Sequence, residues 1–274
     1  MIKYYDSAAR IRIFRDTFLA LWNHRELIQI LVKRDIAVRY KRSSLGLLWT
    51  LLNPLLTSLV LWFVFISIFS ARLPDGTQFA PYLLSGVLLV TFFTQGFNQA
   101  ADSIAHGAGI LTKVFVPPQV FAFAGAISNA VNFLFGLFAL SFISLITGDG
   151  ISIKAPLTLI IIICMLMYVT GLGLIVSILY IRFDDTRSII GILISFMMYL
   201  SPIFYPKEIL SNQVLKIVNA NPLTSYLDIF RNVFSGTGTA TLNDWFYMSF
   251  SSTFIFIVGI QVFSKAWPRT AVML

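Results

Sequence analysis

The spacing of charged residues constrains this chain more than any other feature. Six stretches contain no Asp, Glu, Lys or Arg: 29 residues between Arg42 and Arg72, 26 between Asp75 and Asp102, 35 between Lys113 and Asp149, 27 between Lys154 and Arg182, 19 between Arg187 and Lys207, and 20 between Asp244 and Lys265. A helix rises about 1.5 Å per residue, so about 20 residues cross the roughly 30 Å of hydrocarbon in a bilayer. A charged side chain at the centre of such a helix costs about 2.5–3.5 kcal/mol on insertion scales. Runs of this length therefore mark membrane spans. Composition agrees, because 57% of the residues are hydrophobic and only 12% are charged. A soluble domain carries about 25% charged residues, and half that fraction cannot coat a water-facing surface of this size.

The expected fold is an all-α integral membrane protein. It has one transmembrane domain over residues 1–274 and six spans near 45–70, 79–101, 117–146, 156–181, 187–203 and 245–265. Basic residues orient it. With the N-terminus inside, the inner segments carry 15 Lys and Arg and the outer ones 5. That bias puts both termini in the cytoplasm. Ten of the 20 basic residues fall within the first 42, just ahead of the first uncharged run. This placement suits an anionic membrane surface, rather than nucleic acid.

Two regions depart from simple spans. Residues 18–40, "FLALWNHRELIQILVKRDIAVRY", are too short and too polar to cross, yet hold no Pro or Gly. Leu21, Leu27, Ile28, Leu31, Val32 and Val38 fall near one helical face and Arg25, Glu26, Gln29 and Lys33 on the other, with His24 and Asp35 interrupting the apolar side. Such a helix lies in the membrane plane. Arg39, Lys41 and Arg42 then pin the entrance of the first span, a position from which they also greet an anionic head group. The second region, 201–234, is broken by Pro202, Pro206 and Pro222, and its uncharged pieces are too short to cross. It reads as short helices dipping in and out on one side, over 204–234. A surface loop with interfacial helices is the alternative.

Chemistry is sparse. His24 and His106 are far apart, and Cys164 is the one cysteine, which excludes an internal disulfide. The chain has neither a metal-binding H-E-x-x-H pair nor a G-x-x-x-x-G-K-[ST] phosphate cradle. No acid sits mid-span where a proton- or sodium-coupled carrier needs one. A polytopic chain of this kind is a conduit, and any uphill transport draws its energy from a partner. Aromatic side chains can line such a conduit, and candidates for its path are Trp49 with Asn53 in the first span and Tyr199, Phe204 and Tyr205 beside the Pro-broken region. Arg39, Lys41 and Arg42 join them at the entrance.

The stretch "RELIQILVKRDIAVRYKRSSLGLLWTLLNPL", Arg25 to Leu55, resembles the start of ABC-2-type permeases that export polysaccharides such as O-antigen, capsule and teichoic acid. Its frame is R-E-L…R-D…R-Y-K-x-S-x-L-G-x-x-W-x-x-x-x-P, and "NPLT" at Asn221–Thr224 fits further along. The resemblance implies a homodimer bound to two copies of an ABC ATPase subunit, which carry the ATP and Mg, with no cofactor in this chain. It implies a lipid-linked glycan substrate in a bacterial cytoplasmic membrane. It also implies an interface helix over 18–40, with Arg25, Glu26 and Lys33 facing the ATPase. The inner loop 102–113 would hold the coupling helix, with His106, Gly107, Gly109 and Lys113, although its own residues are equally those of a tight turn. Segment 204–234 would supply gate helices. Three rivals are an ABC-2 exporter of a drug or small lipid, an ion-coupled carrier, and a membrane enzyme acting on lipid-linked sugars.

Overall fold

The computed structural model describes residues 13–271 apart from 40–42, 44, 70–78, 112, 115, 149, 184, 238 and 239. Among the described residues the chain is helical, with no strand. Its helices are α1 (Ile13–Asn23), α2 (Arg25–Arg39), α3 (Trp49–Phe69), α4 (Phe79–His106), α5 (Ala108–Leu111), α6 (Gln119–Thr147), α7 (Thr158–Arg182), α8 (Thr186–Leu200), α9 (Asn212–Ala220), α10 (Pro222–Phe234) and α11 (Leu242–Thr270). Four of the described segments are long and apolar enough to cross a bilayer: α4, α6, the segment Ala155–Arg182 containing α7, and α11. The protein is therefore an integral membrane protein.

Helices α4 and α11 overrun the uncharged stretches that predict them. Helix α4 continues through Asp102 to His106, and α11 starts at Leu242 and ends at Thr270. An uncharged run measures hydrocarbon thickness, whereas a helix goes on into the polar layer until something caps it. Thr241 and Asp244 form a reciprocal capping box at the start of α11. Gly148, at φ 87°, closes α6 in the left-handed conformation.

The fifth uncharged run behaves differently. Its helix, α8, has 15 residues and stops at Leu200. Pro202 disfavours helical backbone at the residue before it, and Ser201 is extended at φ −79°, ψ 142°. At about 22 Å long, α8 is shorter than a full hydrocarbon crossing. Helix α3 has 21 residues, with no charge.

Helix α4 packs against α6 and α7, and α7 in turn against α11. Glycines permit the closest crossings. A Cβ on Gly171 would stand 2.6 Å from the Ile255 carbonyl oxygen of α11, and Gly259 of α11 faces the Gly171 backbone in return. Gly173 plays the same part toward Ala100 of α4. Ala122, Ala126 and Ala130 of α6 are all buried. Small residues let helix backbones approach where lipid supplies no hydrophobic drive. A valine at Gly259 would have to part α7 from α11, so Gly259→Val is expected to lower stability by about 2–3 kcal/mol. A melt of the detergent-solubilised protein measures this, and an unchanged midpoint would contradict the crossing.

Residues 13–39 form two helices rather than one, divided at His24. The division is slight: the His24 amide donates to Ala20 O at 3.0 Å, and its own carbonyl accepts from the Ile28 amide at 3.0 Å. The expected faces of this stretch are visible. Arg25, Glu26, Gln29 and Lys33 are exposed. Leu21, Leu27, Ile28, Leu31 and Val32 pack onto a cluster with Ile104, Phe121, Ile178 and Phe263. Val38 is the exception, and is exposed.

Within the Pro-broken region, α10 is almost wholly buried. Asn221 starts it by accepting a hydrogen bond from the Leu223 amide, and Pro222 occupies the first turn, where its missing N–H is not needed. Helix α10 rests on α11, α4 and α7.

Candidate functional site

Helices α3, α4 and α6 and the end of α2 line a cavity, and each of the three helices presents a stripe at helical spacing. Helix α3 contributes Trp49, Asn53 and Thr57; α4 contributes Val87, Thr91 and Gln95; α6 contributes Asn129, Asn132 and Phe133. Residues four apart on a helix share a face, so these stripes meet when α3 and α6 pack on α4. The cavity volume is about 440 Å³, within the range of roughly 300–1,000 Å³ usual for small-molecule sites.

At one side sits a polar network that joins α2 to α4 and α6. Arg39 donates to Gln99 Oε1 at 2.9 Å, Gln95 Oε1 at 3.3 Å and Asn129 Oδ1 at 3.3 Å. Gln99 Nε2 donates to Asp35 Oδ2 at 3.0 Å, and Arg34 donates to Asp35 Oδ1 at 3.0 Å. Asn129 is held in one orientation. Its Nδ2 donates to Gln99 Oε1 at 2.6 Å, Gly125 O at 3.1 Å and Gln95 O at 3.4 Å. Gly125 makes the contact possible, since a Cβ there would lie 3.0 Å from the Gln99 carbonyl oxygen. Asp35, which interrupts the apolar face of α2 in the sequence, is on that face to meet Gln99.

Of the eight residues expected along the substrate path, Arg39, Trp49 and Asn53 come together here. Lys41 and Arg42 lie outside the described residues. Tyr199, Phe204 and Tyr205 form a separate group at the other end of α4. Tyr82 of α4 donates to Tyr205 O at 2.9 Å, and Tyr205 donates its hydroxyl to Leu200 O at 3.0 Å. Phe204 packs partly buried on the main apolar core, whereas Tyr199 is exposed. Tyr82 and Gln95 are 13 residues apart on one helix, which separates the two groups by about 20 Å.

Tyr82 links this group to a residue that the sequence counts toward topology as an outer charge. Arg231 of α10 is 4% exposed. Its guanidinium donates to Pro202 O at 2.9 Å, Tyr82 O at 3.2 Å, Ser85 Oγ at 3.3 Å and Ile203 O at 3.5 Å. It also lies 3.6 Å from the centre of the Tyr82 ring. Gly86 leaves the room, as a Cβ there would come 3.0 Å from the Arg231 Nη2. Lys207 pairs with Asp228 one turn earlier on α10. A single arginine in a helix otherwise short of charge was the available signal. Similarly, Gln95 with Gln99 and Asn129 with Asn132 are carboxamide pairs at helical spacing inside uncharged runs.

The residues expected to face an ATPase lie on two neighbouring elements. Arg25, Glu26 and Lys33 are exposed on α2, and His106, Gly109 and Lys113 are exposed at the end of α4 and around α5. Gly107 is buried, and a Cβ there would stand 2.8 Å from the Phe121 ring. Leu27, Ile28 and Leu31 of α2 and Ile110 and Leu111 of α5 rest on one apolar cluster, so the two elements share a platform. The turn after His106 carries one four-residue helix.

The model of the ABC-2 type transporter family matches residues 26–235. An O-antigen export system permease protein, RfbA, of Klebsiella pneumoniae is 26% identical over 253 residues, 91% of this chain and 95% of the relative. A capsule polysaccharide export inner-membrane protein, CtrC, of Neisseria meningitidis serogroup A is 24% identical over 261 residues, 92% of this chain and 96% of the relative. The polysialic acid transport protein KpsM of Escherichia coli is 24% identical over 205 residues, 74% of this chain and 79% of the relative. The family match spans both the polar network under α2 and the buried helix α10, and the chain belongs to the ABC-2 type transporter family.

Proposed function

We propose that this chain is the permease subunit of an ATP-driven exporter that moves a lipid-linked polysaccharide from the cytoplasm across the bacterial cytoplasmic membrane. The observation that carries this reading is the near full-length similarity to permeases named for O-antigen and capsule export. ATP and Mg belong to the partner ATPase, two copies of which bind a homodimer of this chain. The exposed face of α2 and the turn around α5 are the surfaces offered to them. Helices α3, α4, α6, α7 and α11, with the stretch 187–203 that continues α8, are six passes, with both termini in the cytoplasm. The basic residues near α2 support that orientation. Helices α9 and α10 are the gate helices on the outer side. Apolar side chains on α8, among them Ile189, Ile192, Leu193 and Phe196, are more than half exposed. They suit lipid and a second copy of the chain.

Deleting the chain tests the reading. Surface polysaccharide is expected to disappear while lipid-linked glycan accumulates inside, and a nucleotide-hydrolysing subunit is expected to co-purify with the tagged permease. Normal surface glycan with new drug sensitivity would favour an ABC-2 exporter of a drug or small lipid. Transport that ignores ATP depletion and follows the proton gradient would favour an ion-coupled carrier.

A further inference from the structure

We propose that the α3–α4–α6 cavity binds one sugar ring of the transported glycan through its vicinal hydroxyls, with Asn132 as the central contact. The proposal rests on the reading of the chain as a glycan exporter and assigns that substrate a site. Asn132 lines the cavity, and both its Nδ2 and its Oδ1 are buried without a hydrogen-bond partner among the described residues. A donor and an acceptor left unsatisfied in one membrane-embedded side chain is an expensive arrangement. It favours an occupant that supplies both functions side by side.

Ligand chemistry separates on that demand. A phosphate offers acceptors alone and would answer Nδ2 while leaving Oδ1 unpaired. An acyl chain answers neither. Two neighbouring hydroxyls on a sugar accept from Nδ2 and donate to Oδ1 together. The rest of the wall agrees. Thr57, Thr91 and Asn53 add neutral hydrogen-bonding groups, and Trp49 adds a flat aromatic face. Among the described residues Arg39 is the one cation in the lining. Its Nη1 and Nη2 already donate to Gln95, Gln99 and Asn129, so it shapes the wall rather than advertising a free charge to an anion.

Asn132→Leu supplies a readout that a structural amide would not. Removing an unsatisfied buried pair leaves the melting midpoint of the purified protein unchanged or higher. Export should nevertheless fall about tenfold, the effect of about 1.4 kcal/mol of lost binding. Asn53→Ala, on the opposite wall, should act in the same direction and does not depend on the folding of the first variant. For direct capture, p-benzoylphenylalanine at Thr57 is irradiated in cells carrying the whole exporter. It should crosslink to glycan detected by lectin, whereas the same group at Phe138, 69% exposed on α6, should not. Full export by both Asn variants, or lipid capture at Thr57 no different from that at Phe138, would overturn the site. If deletion of the chain leaves surface glycan intact, the glycan-export reading itself falls. If deletion abolishes glycan while the Asn variants export fully, only the site falls.

Discussion

Arg231→Ala is expected to lower the stability of the folded protein by about 4 kcal/mol or more, the largest effect of any single truncation near α10. The guanidinium ties three segments together: α10, which carries it; α4, through Tyr82 O and Ser85 Oγ; and the chain after α8, through Pro202 O and Ile203 O. Alanine would take the charged donor from all of them, although Tyr82 O still accepts from Ser85 Oγ at 2.7 Å and Pro202 O from the Tyr82 hydroxyl at 3.3 Å. A lost hydrogen bond to a charged group costs about 1.5–3 kcal/mol, and the stacking on Tyr82 contributes up to about 2 more. The opposing effect is the desolvation of the guanidinium itself. For a buried pair of side chains this can make an apolar replacement neutral or better, because both partners are exchanged together. Three of the four acceptors here are backbone carbonyls, which no substitution removes, so destabilisation wins.

Two further variants separate volume from hydrogen bonding. Arg231→Met fills the space and removes every donor, and its loss should approach that of alanine. Arg231→Lys keeps the charge, but an ammonium cannot reach two segments with a fixed planar fork, and an intermediate loss is expected. In a chain of this size about 4 kcal/mol corresponds to a fall of about 10 °C in the melting midpoint. Size-exclusion chromatography of heated, detergent-solubilised protein reads it directly. A methionine variant that melts with the wild type would remove Arg231 from its role as the clamp.

Where charges are spaced, the fold was legible. Uncharged runs located α4, α6, α7 and α11, because one Asp or Lys at mid-bilayer outweighs several apolar side chains. Proline placed the breaks, as at Ser201 before Pro202 and at the start of α10 after Asn221. What remained hidden is which polar residues meet across helices. Asn129 and Gln99 are 30 positions apart, and no local pattern states that α6 turns that face to α4. Arg231 counts toward topology as an outer charge, yet its burial follows from Gly86 of α4, 145 positions earlier. Val38 fits the apolar face of α2 by periodicity but is 62% exposed. The last turn of α2 is set by Asp35 and Arg39 reaching α4 and α6, and Val38 is left outside.

That last turn makes a directional prediction about charge. Arg39→Glu turns three donated hydrogen bonds into three facing oxygens. Gln95 and Gln99 can rotate their carboxamides to present nitrogen, but a rotated Gln99 then turns its oxygen toward Asp35, which it now serves as donor. Asn129 cannot follow, because its Nδ2 is committed to the backbone carbonyls of Gly125 and Gln95. Two charge-assisted bonds at about 1.5 kcal/mol each correspond to a loss of export of about 100-fold. Adding Asp35→Arg reverses the polarity at both ends of the Gln99 bridge. A rotated Gln99 then joins the exchanged charges, with Asn129 and Arg34, which loses its carboxylate, left mismatched. The double variant should therefore recover about tenfold over Arg39→Glu without reaching wild type, a coupling that two independent surface charges would not show. Surface glycan, normalised to the amount of inserted permease, measures all four corners of the cycle. Additive losses would mean that Asp35 and Arg39 act apart, and that the bridge through Gln99 carries no load in transport.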